Sequence, residues 1–566
     1  MRIAKAEKRI AWLRSQIIGG DAEFESPFGR RRITYADHTA SGRALKYTEA
    51  FIVNNVLPFY GNTHTSDSYV GHHTTTMVHE ASHFIKTTLG GGPNDALLFC
   101  GSGSTAAIKR LQEVMGIAIT PTMRGRVLET LDDQERWVVF VGPYEHHSNL
   151  LSWRHSLAEV VEIGLDENGK LDVEELRAQL DRYQLACRPL LGSFSACSNA
   201  TGLLTDTRGI ARLMHRYGAF VCVDYAASGP YEEIDMRSGE MDGYDAVFIS
   251  PHKFLGGPGT PGILLMNKAL YQLTSLPPST CGGGTVNYVN GFSSEDTLYI
   301  EDIEEREDAG TPQIIQKIRA ALTFWVKEYV GYEVIRLKEH EFLQRAYARL
   351  LPNRNIEILG SKSQDQLPIM SFLVFTTSCE SNRRGKALHG PFVAKLLNDL
   401  FGIQARGGCA CAGPYGHTLL GVDEKLSLDV RSALQKGYMG VKPGWTRVSF
   451  PYYMSNEEFE FVLDALEFIS FYGQRFLPLY DFKWEQGEWS LNKKVAKSLL
   501  HPNPNTTSTS GQVVTQKPNA QNNENTINMY ESYLERAKQV ASLLPRSPPE
   551  RPVLEGVDDE LVMFKF

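Results

Sequence analysis

The sequence predicts an α/β protein with a mainly parallel central sheet in a large domain, followed by a smaller C-terminal α/β domain. Short, nearly continuous apolar runs recur between about residues 94 and 266, and helical patterns separate them. Strands that are apolar throughout belong in a sheet covered on both faces by helices. After residue 484 the composition shifts toward polar residues and proline, which marks an extension beyond the two domains.

Residues 1–18 carry Arg2, Lys5, Lys8, Arg9 and Arg14 among apolar residues and read as a surface helix. They lack the continuous apolar stretch of a secretory signal. A mitochondrial presequence is the alternative, opposed by Glu7 and the scarcity of serine. Strands are expected at 95–100 (DALLFC), 137–141 (WVVFV), 190–196 (LLGSFSA), 220–224 (FVCVD), 246–250 (AVFIS) and 262–266 (GILLM). Helices are expected between them, for example at 104–114 and 207–217. A long helical pattern at 314–330 leads into mixed helix and strand up to residue 475. The expected organisation is an N-terminal segment (1–30), a large domain (31–330), a small domain (331–475) and an extension (476–566). In the extension, residues 501–526 are rich in Asn, Thr, Ser, Pro and Gln and read as a disordered linker, with a helix at 529–544.

Composition narrows the function. The net charge of −8 is spread over interspersed signs without a long basic run, which argues against a nucleic-acid partner. No apolar run approaches the roughly 20 residues of a membrane span. Most of the eight cysteines are scattered, which fits a reducing, cytoplasmic compartment better than a disulfide framework. Cys409 and Cys411 form a C-x-C without a second Cys/His pair nearby, so no metal site is expected.

Four stretches carry chemistry, each just after an expected strand. In FCGSGSTAAIK, Gly101 and Gly103 permit close backbone approach, and Ser104 and Thr105 open a helix whose free N–H groups suit a phosphate. An ordinary helix cap is the alternative. In YEHHSN, His146 could stack on a flat ring or move a proton, or be a structural loop histidine. In FVCVDYAAS, Asp224 stands where a carboxylate can pair with a pyridine nitrogen, or cap a turn. In SPHKFLGG, Lys253 lies among glycines where desolvation would make it an amine nucleophile, or is an exposed loop lysine.

Taken together, and with Asn199, this order resembles the pyridoxal 5′-phosphate (PLP) domain of fold-type I, class V aminotransferases, especially group II cysteine desulfurases and selenocysteine lyases. The resemblance spans roughly residues 34–473. YADHTAS (35–41) is similar to the opening Y-L-D-N-A-A, YGNTH (60–64) to an N-x-H segment, and EHHSNLLSW (145–153) to E-H-H-x-N-x-x-P-W. SPHK (250–253) matches S-x-H-K, and REDAGTP (306–312) resembles R-x-E-A-G-T-P. RGGCACA (406–412) resembles R-x-G-x-x-C-A.

The resemblance implies PLP as cofactor, bound to Lys253 as a Schiff base. It places His146 on the ring, Asn199 near the 3′-oxygen and Asp224 at the pyridine nitrogen. Ser250 and His252, with Gly103, Ser104 and Thr105, fall at the phosphate. Thr311 would reach the phosphate of a neighbouring subunit, which implies a homodimer with shared active sites. Arg447 would grip a substrate carboxylate, with Arg406, Asn62 and His64 also on the substrate side. Cys411 aligns with the persulfide-forming cysteine, and a sulfur-acceptor protein would be a further partner. The implied reaction converts L-cysteine to L-alanine plus an enzyme persulfide. A class V aminotransferase or amino-acid epimerase that does not use Cys411, and a non-catalytic scaffold of the same fold, are the alternatives. Three departures bear on this choice: Ala227 stands where Gln or His is usual, Thr65 where Arg often follows the N-x-H histidine, and Gly407-Gly408-Cys409 where bulkier residues precede the cysteine.

Overall fold

Successive residues of the central strands face opposite sides, and both sides are apolar. Ala96 and Leu98 enter one core cluster while Leu97 enters another, and Val139 and Val141 part in the same way from Val138 and Phe140. A strand buried on both faces needs an apolar residue at every position, which is why these runs stand out in the sequence.

A computed structural model describes residues 2–363, 365–377, 384–500 and 523–566. They form two units. The first comprises Met1–Ile18, His38–His340 and Ser361–Leu367; the second comprises Gly19–Asp37, Glu341–Gly360 and Pro368–Phe566. The division is not colinear with the chain, because residues 19–37 join the second unit and 361–367 return to the first. Among the described residues, no helix is long and apolar enough to cross a membrane.

The first unit holds a seven-stranded sheet. Its strands are β1 (Asp95–Cys100), β2 (Val138–Val141), β3 (Glu159–Glu162), β4 (Leu190–Ser195), β5 (Phe220–Asp224), β6 (Ala246–Ile249) and β7 (Gly262–Asn267), in the spatial order β1-β7-β6-β5-β4-β2-β3. The pairs from β3 through β6 are parallel. The expectation of a mainly parallel sheet holds, with one exception: β7 runs antiparallel to both β1 and β6. Its uniformly apolar sequence marks burial and carries no information on direction. Strand β3 (EVVE) was not anticipated, because at the sheet edge it is half-exposed and flanked by glutamates. Helices α1 (Gly103–Val114), α3 (Thr207–Arg216) and α4 (Ile314–Val330) follow the expected patterns, and α2 (His147–Arg154) is an additional short helix. The N-terminal helix Arg2–Gln16 buries Ile10 and Leu13 and belongs to this unit.

The second unit is built on β8 (Ile356–Ile358), β9 (Ile369–Thr377), β10 (Arg384–Leu388), β11 (Arg406–Gly408), β12 (Trp445–Ser449) and β13 (Phe564–Lys565). The sheet order is β11-β12-β9-β10-β13, with β8 on β9. Helix α5 (Asn456–Tyr472) starts with a capping box, in which the Ser455 side chain accepts from the Glu458 N–H and the Glu458 side chain from the Ser455 N–H.

The extension is part of this unit. Its helix, α6 (Asn523–Leu543), begins six residues before the expected start and takes in residues 523–526 of the expected linker. The polar Asn-Glu-Asn-Thr start of this helix hid it in the sequence. The rest of the expected linker, 501–522, lies outside the described residues. Tyr530 of α6 stacks on Phe461 of α5 at 3.9 Å, and Ala537 and Ala541 are buried. The chain end adds β13 to β10 in parallel, and Phe564 stacks on His389 at 4.0 Å. His389 accepts from Trp489 Nε1 at 2.9 Å, and burial pushes its imidazole down to about 3, so it is neutral. Phe564→Ala should therefore destabilise this unit by about 3 kcal/mol, the usual cost of truncating a buried phenylalanine. Denaturant titration measures it, and a loss below about 0.5 kcal/mol would show that the tail does not pack as described.

Candidate active site

Five strands of the first unit deliver polar residues at their carboxyl ends, where open α/β sheets bind ligands. After β1 the chain turns through Gly101-Ser102 into α1, which starts at Gly103 with φ of 60°. A Cβ on Gly103 would lie 2.8 Å from both His252 Cε1 and Ser250 Oγ, so only glycine fits this cradle. The Ser104 N–H donates to Ser250 Oγ at 2.8 Å, and Ser250 Oγ donates to Ser104 Oγ at 3.0 Å. Thr105 Oγ1 and Ser148 Oγ share a hydrogen bond of 2.7 Å. Hydroxyls and a helix N-terminus are thus gathered at one point, as an anion site requires.

After β2, His146 caps α2: its Nδ1 accepts from the Ser148 N–H at 3.1 Å. A ring whose Nδ1 accepts carries its proton on Nε2. The residue before it in the chain has a role that its charge alone does not announce. Glu145, fully buried, accepts from the N–H groups of Gly142 (3.2 Å) and Ser195 (2.9 Å), from Ser195 Oγ (2.6 Å) and from Asn149 Nδ2 (2.7 Å). Burial pushes its carboxyl up to about 7 against the Ser195 and Asn149 bonds, and the nearby Asp224 pushes the same way. All four partners donate, which favours the anion. Glu145 and Asn149 lie in the EHHSN stretch, so their position was legible, but burial gave them this role.

After β5, Asp224 Oδ1 accepts from the Ala226 N–H at 2.9 Å. Burial pushes this carboxyl up, opposed by that N–H, the Lys253 charge and Ser104. After β6, a single turn (Pro251–Lys253) presents His252 and Lys253. Burial and the adjacent Lys253 charge push the His252 imidazole down to about 4, so it is neutral near pH 7.

These residues surround one cavity of about 180 Å³. Ser104, Thr105, His146, Asn199, Asp224, Ser250, His252 and Lys253 all line it, together with Ser195, Cys197 and Ala227. Asn62, His64 and Thr311 are not among its lining residues. Asn62 Nδ2 donates to Thr311 Oγ1 at 3.3 Å, and His64 lines a separate groove with Asp308 and Pro312.

The remaining three expected residues belong to the second unit. Register places Arg406 of β11 opposite Arg447 of β12. Both converge on Asp37, Arg406 Nε to Oδ2 at 3.1 Å and an Arg447 terminal nitrogen to Oδ1 at 3.0 Å. Arg447 is 3% exposed. Burial pulls its guanidinium down, and Asp37 opposes this. Cys411 is exposed, adopts φ of 58° after Ala410 at 52°, and lies close enough to act on the charge of Arg447. Cys409 is half-buried.

The donor set fits PLP. The Gly103 cradle with its hydroxyls and the α1 N-terminus suits the phosphate, Asp224 the pyridine nitrogen, His146 the ring face and Lys253 the aldehyde.

The aminotransferase class-V family model matches residues 34–462. A Staphylococcus epidermidis protein described as "Probable cysteine desulfurase" is 25% identical over 400 residues, covering 69% of this chain and 86% of that one. A Haloferax volcanii protein described as "Cysteine desulfurase" is 27% identical over 327 residues, covering 57% of this chain and 66% of that one. Among solved structures, the apo structure of a cysteine desulfurase from Thermococcus onnurineus NA1 matches with a TM-score of 0.62 at 22% identity, over 81% of this chain and 97% of that one. That last likeness is one of fold.

Proposed function

We propose, from the premise that this chain is an enzyme belonging to the aminotransferase class-V family, that it binds PLP and takes sulfur from L-cysteine, releasing L-alanine and leaving a persulfide on Cys411. The observation that carries the cofactor assignment is the convergence of Lys253, Asp224, His146 and the Gly103–Ser104 cradle on one cavity. The names of the relatives and the exposed Cys411 beside Arg447 support the sulfur chemistry.

When bound, PLP supplies an electron sink for a carbanion at the substrate Cα. Lys253 Nζ would hold the cofactor and, once released by the substrate amine, take the Cα proton. Asp224 would keep the pyridine nitrogen protonated. His252, Ser250, Ser104 and the α1 N-terminus would hold the phosphate. Arg447 and Arg406, the two guanidinium groups on Asp37, would take the substrate carboxylate. The Cys411 thiolate would attack the substrate sulfur, forming the S–S bond as the C–S bond breaks. The electron pair stays with the substrate carbon, which is protonated to give alanine. Thr311, paired with Asn62 outside the cavity, would complete the site of a second subunit in a homodimer. A sulfur-acceptor protein would then discharge the persulfide.

One observation favours a second reading. Ala227 lines the cavity and brings no donor to the cofactor's 3′-oxygen, so an aminotransferase or epimerase reaction that does not use Cys411 is the competitor. Incubation with L-cysteine and a thiol reductant separates the two. Sulfide and alanine should form in equal amounts, Cys411→Ala should lower the rate by roughly a hundredfold or more, and Cys409→Ala should largely retain it. Absence of sulfide, with undiminished turnover of another amino acid by Cys411→Ala, would discard the desulfurase reading.

A further inference from the structure

Lys327 belongs to none of the short motifs that carry the family resemblance. It lies on the face of α4 that packs into the first unit, with its side chain buried. Its ammonium donates to the carbonyl oxygens of Gly229, at 2.7 Å, and Glu232. It also lies 5.6 Å from the centre of the Phe254 ring and 4.8 Å from that of Tyr332. Two carbonyls and two ring faces form a fitted cage for a cation.

The two segments it grips are those that leave the cofactor cavity. Residues 225–232 form the turn that follows Asp224. The turn begins with the Ala226 N–H on Asp224 Oδ1 and continues with Gly229 N–H to Tyr225 O at 2.7 Å and Glu232 N–H to Ser228 O at 2.8 Å. Lys327 closes its far end, as a basic side chain caps the last carbonyls of a helix. Phe254 directly follows Lys253 and is buried. A Cβ on Gly229 would come within 3.2 Å of the Phe254 ring, so the ring leaves little room for a side chain at this position of the turn.

We propose that Lys327 is a positioning residue for the cofactor site, tying the turn that orients Asp224 to the segment that presents Lys253. The inference rests on the reading that these two residues hold PLP. The ammonium is held at a cost: burial pushes it down to about 7, opposed by Glu328, Glu232 and Glu233. Aliphatic packing alone would not need a charge there.

The test titrates PLP into the apoproteins of the wild type, Lys327→Met and Lys327→Gln. It follows the visible absorption band, the pH at which that band shifts, and circular dichroism. Lys327→Met, which keeps the length and loses the donors, should remain folded, bind PLP roughly tenfold more weakly and move the pH midpoint of the band. Lys327→Gln, with one amide donor left, should fall between the two. A role in stability alone would leave the pH midpoint unmoved. Folded variants with wild-type affinity and midpoint would overturn the inference, and so would failure of both variants to fold, which would assign Lys327 to general stability. Failure of the wild type itself to bind PLP would instead overturn the cofactor assignment.

Discussion

Lys253→Ala should abolish the visible absorption of the PLP-loaded protein and lower turnover by roughly a thousandfold or more, because the proposed function makes one residue both cofactor anchor and proton carrier. The backbone around it is closely held. The Lys253 N–H donates to Ser250 O at 3.0 Å, and the Gly42 N–H donates to His252 O at 2.9 Å. A Cβ on Gly257 would lie 1.9 Å from Pro251 O. The alanine variant should therefore keep its fold, which circular dichroism checks. Borohydride reduction followed by peptide mapping should place the cofactor on the peptide containing residue 253 in the wild type and on no peptide in the variant. A persistent absorption band in Lys253→Ala would remove the basis of the proposed function.

Asp224→Asn should separate activity from stability. Under the proposed function Asp224 would face a pyridinium, and removing its carboxylate would break a buried charge pair, at about 3–5 kcal/mol, so turnover should fall by roughly two to four orders of magnitude. The apoprotein should respond in the opposite direction. The Asp224 carboxyl titrates above its ordinary value in the fold because burial disfavours its charge. The folded state then binds more protons than the unfolded chain between the ordinary carboxylate value and the raised one. Stability contributed by this group is lost as pH rises through that window, and the loss persists at neutral pH. Asparagine has no charge to bury, so apo Asp224→Asn should melt higher than the wild-type apoprotein near pH 7 and lose that advantage in acid. Equal melting of the two apoproteins from pH 4 to 8 would show that the carboxylate is not strained by burial.

The chain order of the residues proposed to hold the cofactor was readable because each signal is local. A strand buried on both faces is apolar throughout, and the turn at its carboxyl end must be polar or glycine-rich, so Gly103, His146, Asp224 and Lys253 each appear next to a run such as DALLFC or AVFIS. Periodicity likewise placed α4 over the residues observed. Other features arise from pairings between distant positions, which leave no periodic trace. The antiparallel course of β7, the tail strand β13 on β10 and the stacking of Tyr530 on Phe461 depend on which segments meet. So do the roles of Glu145, Asp37 and Lys327, each a charged residue that reads as a surface group until burial and its donors or acceptors are known. A residue's type and neighbours in the chain state which chemistry it can perform. The dielectric around it and the groups facing it set its charge, its orientation and its partner, and these exist only once the chain has closed on itself.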